Sequence, residues 1–459
     1  MNPIGESRWD SEYYQKLFVE ELEKINRLPH KKLSNYAHFI RKGIFDMSPD
    51  YYQNNGIPFI RTSEIKDPTI NFSTTVFLSK ETNSQYESTF LRPNDLVFTK
   101  IGAYIGDVAL LPPTYPLYNF SQNVAGVSLK DSNDGCYLLA FLLTHFGQNQ
   151  IKRSAMLSGQ GKLELNDLRN YLIPNISKIL QKGITDIIEK SIKLKGNSGD
   201  IMKSATSMLM KELKLMDWTY TNEPVSVKTY KTVLSNRRLD AEYYQPKYDL
   251  ILNKILSNPH GVTYIENEFE PNTTKISFDK PHYNYIEIGD ININTGAYSY
   301  KELDVSNLPA NAKIAANQHD ILVSTVRPNR GAVAILDQDI PNLVVSGAFT
   351  VLTEKGDYKK EILALLLRSQ LYRELLLKWN IGSSYPVIKD EDILNLPIPI
   401  VPQNIQIQLS QQVQESVKLR AESKRLLEVA KKAVEIAIEE NEENALKYIT
   451  ENGKSLYDK

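Results

Sequence analysis

The chain has 459 residues, of which 41% are hydrophobic and 24% charged, with a net charge of −1 and a pI of about 6.6. That composition supports two or three packed domains and excludes a largely disordered chain. It also argues against tight, autonomous, non-specific nucleic-acid binding, which draws on a surplus of Lys and Arg. The lone cysteine, Cys136, rules out an intrachain disulfide framework and a cysteine zinc cluster, and its neighbours YLLAFLL mark it as a core residue. No apolar run approaches eighteen residues, so no membrane span is expected. The opening MNPIGESRWD lacks a charged-then-apolar signal pattern, which fits a cytoplasmic protein.

The first element is RWDSEYYQK, at residues 8–16. After it come short β-rich segments, GIPFIRTSEI, DLVFTKIG, DVALL and VAGVSL, broken by Gly, Pro and Asn. They read as strands with turns between them. A helical stretch, GCYLLAFLLTHF, leads to a Gly-containing loop, LSGQGKLEL, and to LIPNIS, whose proline ends regular structure. These elements define a mainly β domain over 1–177, followed by a long helix over 178–218 and a linker over 219–237. The opening then returns as RLDAEYYQP at 238–246. A second domain over 238–402 carries YNYIEIGDI, DILVSTV, AVAIL and AFTVL, then the helical KKEILALLLRSQLYRELLL, the loop NIGSSYPVI and the exit LPIPIVP. A second long helix over 403–450 and a tail over 451–459 complete the chain.

The recurrence extends well beyond the opening. Arg8, Asp10, Glu12, Tyr13, Tyr14 and Gln15 return as Arg238, Asp240, Glu242, Tyr243, Tyr244 and Gln245, an offset of 230. NDLVFTKIGAYIGDVALL aligns with HDILVSTVRPNRGAVAIL at an offset of 225, pairing Asp95 with Asp320 and Gly106 with Gly331. DLRNYLIP aligns with DILNLPIP, and EKSIKLK with QESVKLR, also at 225. Ordered matches with so little drift identify an internal duplication. The long helices repeat as well. Ile187, Ser191, Leu194, Ser198 and Ile201 step by four and three, as do Ser416, Leu419, Ser423 and Leu426. That is a heptad seam alternating large and small residues. Glycines in KGNSGD (195–200) are its weak point, since they could break the first helix.

Catalytic signatures are poor. The sole Pro-Pro, Pro112–Pro113, lacks the flanking residues of an adenine methyltransferase motif, and there is no phosphate-binding Gly-rich loop. Pro49–Asp50 with Glu64 and Lys66 formally fits a PD…ExK metal site, but the second copy lacks the lysine. His30, His38 and His145 form no ligand pair and read as surface or packing residues.

The repeated openings, the TKIG/TVRP segments, the LIP/LPIP exits and the paired long helices together resemble the specificity (S) subunit of Type I restriction–modification systems. The resemblance covers nearly the whole chain. It implies an α+β fold with two mainly β target-recognition domains, separated by two long antiparallel coiled-coil spacer helices with pseudo-two-fold symmetry. Each domain would read one half of a bipartite double-stranded DNA target, and the repeated tyrosine motifs would be structural joints. Methylation and cleavage would belong to partner methyltransferase (M) and restriction (R) subunits, which would also hold S-adenosylmethionine, ATP and Mg²⁺. This chain would hold no cofactor or metal and would not be an enzyme. Base readers must be polar and carried on loops that reach a groove. The candidates are Lys100, Tyr104, Gln160 and Lys162 in the first copy, and Arg327, Asn329, Arg330, Ser383, Ser384, Tyr385 and Lys389 in the second. The helices would act as a ruler, so one added heptad near Ala205 should widen the gap in the target by a few base pairs. The alternative reading is a stand-alone sequence-specific DNA-binding regulator, disfavoured by the near-neutral charge.

Overall fold

A computed structural model of the chain describes residues 11–65, 68–102, 104–155, 161–216, 218–220, 223 and 225–458. Arg8, Asp10, Lys66 and Gln160 lie outside the described residues. The chain forms two compact units, Met1–Gly196 with Leu419–Lys459, and Asn197–Lys418. These bounds differ from those drawn on the sequence, because each long helix divides its length between both units.

In unit one, Ala37–Lys42, Val124–Leu129, Leu96–Thr99 and Val108–Leu110 form an antiparallel sheet in that order. Ile57–Ile60 pairs antiparallel with Val76–Leu78 and parallel with Asn119–Phe120 in a smaller sheet. His30–Lys32 against Leu172–Pro174 closes the domain. Leu96–Thr99 (LVFT) is buried at every position, as a short continuous apolar run should be when both faces are covered. Helix Gly135–Leu143 is buried from Gly135 to Leu142. Cys136 sits within it, its thiol pushed up to about 12 by burial, so it packs rather than reacts.

Unit two repeats this frame. Phe269–Pro271, Phe349–Glu354, Ile321–Ser324 and Val333–Ile335 make the equivalent sheet. Its last three strands begin 225 residues after their counterparts, as do helix Lys360–Arg368 and the closing strand Pro397–Pro399. The second sheet gains a strand, with order Lys301–Asp304, His282–Ile286, Leu343–Ser346 and Ala312–Ala315. The buried aspartates share a turn. Asp95 accepts the Arg92 and Leu129 amides at 2.8 and 2.7 Å. Asp320 accepts the Asn317 amide at 2.9 Å and the Thr353 hydroxyl at 2.6 Å.

The opening motifs are joints in both units. Tyr13 and Tyr14 meet edge-on at 5.2 Å, and Tyr243 and Tyr244 at 5.0 Å. The Arg153 guanidinium lies 3.7 Å from the Tyr13 ring centre and donates to the Tyr13 carbonyl at 2.8 Å. Lys378, 225 residues on, sits 4.5 Å from the Tyr243 ring and donates to its carbonyl at 3.3 Å. Both cations are buried, and each gains from the ring face it covers.

The first long helix runs Lys178–Glu212 without a break. Gly196 and Gly199 do not interrupt it. A side chain at either would meet nothing within 4 Å, so the glycines lie on an open face while the seam holds the helix. The second runs Gln403–Glu439 and stops, rather than continuing to 450. Asn441 then caps a separate helix, Glu442–Asn452, by accepting the Asn444 amide at 2.9 Å. The expected tail folds back in unit one. Arg425 donates to the carbonyls of Asn452 and Lys454, and Glu422 accepts the Leu456 amide. Glu442 also accepts the Ser177 amide at 2.9 Å, placing a carboxylate at the start of the first long helix.

Each unit joins one half of the first helix to the opposite half of the second, which is the make-up of an antiparallel pair. In unit one, Ser191 and Ser423 each donate to the other's carbonyl at 2.7 Å. In unit two, Ser198 donates to Ser416 O at 2.7 Å and receives the reciprocal bond at 2.9 Å. All four serines are buried, together with Ile187, Leu194, Leu419 and Leu426. Ile201 is only half-buried, and Met202 takes the buried position beside it.

Candidate nucleic-acid interface

The two loops singled out in each copy meet. In unit one, Ile101 bridges to Lys162, and the Leu163 amide donates to the Lys100 carbonyl at 2.9 Å. In unit two, Val326 bridges to Val387, and Ile388 N donates to Thr325 O at 3.0 Å. All four positions correspond at the offset of 225. The turn beneath corresponds too: Lys100 N donates to Asn123 O and Thr325 N to Ala348 O, each at 2.9 Å. Gly106 and Gly331 end the first loop with φ of +92° and +75°, a conformation that favours glycine.

On this shared frame the side chains differ. Lys100 is 8% exposed, and among the described residues its ammonium has no hydrogen bond or ion pair. Burial first, and then the neighbouring Lys162, hold it below the usual lysine range; Glu164 opposes this and Lys42 adds to it. Lys162 itself pairs with Glu164 at 2.7 Å, where both side chains are exposed. Tyr104 is 56% exposed. A depressed ammonium among like charges is a site for an anion, since a phosphate or an acceptor-rich base edge restores what burial removes.

In unit two, Arg327 adopts φ +52° and lies 5.3 Å from the Tyr385 ring. Its amide donates to the Pro386 carbonyl at 2.7 Å, tying the two loops. Arg327 and Arg330 are exposed and make no ion pair among the described residues. Ser383, Ser384, Tyr385 and Lys389 are exposed on the second loop, Lys389 preceding helix Asp390–Leu394. Asn329 departs from expectation: its side-chain oxygen is buried without a hydrogen-bond partner among the described residues, so that atom faces into the protein.

The PD…ExK reading does not hold at Glu64. This residue is fully buried and accepts from Arg61 Nη2 at 2.9 Å, Ser63 Oγ at 2.8 Å, Thr74 Oγ1 at 2.9 Å and the Arg61 amide at 2.8 Å. Its acceptor positions are spent on a turn. Asp290 plays the same part in unit two, accepting the Glu287 amide at 2.9 Å. His145 is held by Glu21 at 2.8 Å and stacks on Phe146. The sequence reading missed Lys42 and Phe45, which the fold brings to the Lys100 edge; an aromatic residue in the turn-rich stretch GIFDMSPD was the available signal.

The duplicated frame and its paired loops define a DNA-recognition domain present twice, and the family comparison agrees. Residues 30–198 and 240–428 both match the Type I restriction modification DNA specificity domain, and the chain belongs to that family. Among relatives, the specificity subunit of the Type I restriction enzyme HindI from Haemophilus influenzae is 28% identical over 159 residues. That match covers 31% of this chain and spans 34% of the relative's length. Among solved structures, the S subunit of a Type I system from M. genitalium is 12% identical with a TM-score of 0.40, covering 92% of this chain and 96% of the other. The HsdS subunit from Thermoanaerobacter tengcongensis is 14% identical with a TM-score of 0.30, covering 90% and 97%. Among the described residues, no helix is long and apolar enough to cross a membrane.

Proposed function

We propose that this chain is the specificity subunit of a Type I restriction–modification complex, in which each unit reads one half of a split DNA target. The observation that carries this reading is the loop pair, joined by equivalent backbone bonds in both copies but bearing Lys100, Tyr104 and Lys162 in one and Arg327, Arg330 and Tyr385 in the other. An arginine fork suits guanine O6 and N7, whereas a lysine offers a point charge to a phosphate or acceptor. Methyltransferase and restriction partners in the cytoplasm supply the chemistry, with S-adenosylmethionine, ATP and Mg²⁺ bound by them. Mapping genomic methylation with and without this gene tests the reading. Loss of methylation at two short motifs separated by a fixed gap is expected. An unchanged methylation map in a strain with intact partner subunits would overturn it.

A further inference from the structure

We propose that Phe45 is an apolar DNA contact on the recognition surface of unit one; this rests on the reading that the Lys100 edge faces DNA. Phe45 follows strand Ala37–Lys42 and is 71% exposed. Its surroundings are fixed. Gly43 presses so closely on Phe120 that a Cβ there would lie 2.0 Å from the Phe120 carbonyl oxygen. The Ile44 amide donates to that same oxygen at 2.8 Å, and Ile44 is buried against Phe59 and Leu78. Asp46 then turns the backbone with φ +50°. The chain therefore buries one apolar neighbour and holds the larger ring out in water, although burying a phenylalanine is ordinarily favourable.

The ring stands beside Lys42, at one end of the lysine edge. The Gly43 amide donates to the Val124 carbonyl, and Asn123, next in chain, accepts from Lys100 and Ile101. Lys42 Nζ lies 5.5 Å from the Phe45 ring centre. The edge thus runs from Phe45 and Lys42 through Lys100 to Lys162, with Glu164 as the carboxylate paired to it. Lysines hold an acidic backbone, and an aromatic ring at the end of their row offers an apolar face to a base or a thymine methyl. The second copy supplies an independent observation. In the same connection, Ile-Ser-Phe-Asp replaces Ile-Phe-Asp, and Phe278 is again held out, 53% exposed with φ +55°. Two copies that differ throughout their loops both expose a phenylalanine before an aspartate.

The test uses the full chain assembled with its methyltransferase subunits and a duplex oligonucleotide carrying the methylation-mapped target. Phe45→Ala should weaken binding by about 10- to 150-fold, the loss of a buried phenyl contact. It should leave the salt dependence of binding unchanged, whereas Lys100→Ala lowers the slope by about one. Assembly is checked first by size exclusion. If Phe45→Ala binds like the parent while Lys100→Ala is weakened, the phenylalanine is not a DNA contact and the recognition surface stands. If both bind like the parent, the surface itself is misassigned and the inference falls with it. If Phe45→Ala loses assembly while the assembled fraction binds DNA normally, the ring serves a protein partner and the inference is overturned.

Discussion

The loop after Leu96–Thr99 in unit one and the loop after Ile321–Ser324 in unit two leave their sheets at the same point and are tied down by the same backbone bonds. The first presents a lysine whose stem is buried and whose charge is disfavoured by its setting. The second presents two exposed arginines, one backed by a tyrosine ring. The contrast shows where sequence is free to change. Backbone amides and carbonyls hold the loops, so most of their side chains differ between the copies while the frame stays the same. Duplication therefore yields two surfaces with one architecture and separate chemistries.

The largest effect should come from striking the frame instead of the loops. Glu64→Ala leaves Arg61, Ser63 and Thr74 without their shared acceptor and should cost about 2–4 kcal/mol of unit one's stability. Asp290→Ala, at the equivalent but more exposed turn, should cost about 1 kcal/mol. Denaturant unfolding of the purified chain measures both; equal losses would mean the two turns are not used differently.

Striking a loop should change reading and spare folding. Arg327→Ala should cost about 1–3 kcal/mol of DNA affinity and relax base preference in one half of the target only. Binding to duplexes substituted base by base in each half checks this. A loss spread evenly over both halves would make Arg327 a phosphate contact.

The titration of the two surfaces should also differ. The Lys100 ammonium is held below the usual lysine range, so it loses its proton at lower pH than an ordinary lysine. For the free fold the sign runs the other way from binding: with the folded value depressed, stability is gained above the unfolded value of about 10.4 and lost as pH falls through the folded value. DNA needs the charged form. Affinity should therefore begin to weaken at lower pH than an ordinary lysine contact would cause, and Lys100→Arg should abolish the trend because arginine stays charged. Binding isotherms between pH 7 and about 9.5 provide the measurement. The smallest effect belongs to Glu164→Gln, which frees Lys162 from an exposed pair worth only about 0–1 kcal/mol and should tighten DNA binding no more than about five-fold.

Much of this was legible in the sequence. Continuous apolar runs such as LVFT and ILVS and the apolar helix GCYLLAFLL have one solution each, and their common offset of 225 exposed the duplication. Both candidate loops were legible, but their pairing was not: one follows strand Leu96–Thr99, the other lies between helices His145–Ala155 and Leu165–Asn170, and only the fold joins them. What stayed hidden depends on side-chain direction and on distant packing. Lys100 was identifiable as a cation, but its burial is set by strands and loops far away in sequence. The tolerance of Gly196 and Gly199 came from their facing open space, which composition does not reveal. The end of the second helix at Glu439 was obscured by a run of good helix formers, EIAIEENEENALK, in which two asparagines offer capping signals and the structure uses Asn441. Phe45 was overlooked because a turn sequence does not say which surface the turn will join.

The division of the chain also bears on its synthesis. Unit two is one uninterrupted stretch, Asn197–Lys418, whereas unit one draws on Met1–Gly196 and again on Leu419–Lys459. On the ribosome, domains generally fold as units and in order of emergence. Here the unit begun first is finished last. Every partner of the closing segment, from Ser191 with Ser423 to Ser177 with Glu442, must wait until the whole of unit two has been translated. A message cut short after Lys418 would release a complete second unit attached to a first unit whose half of the helix seam is left open to water.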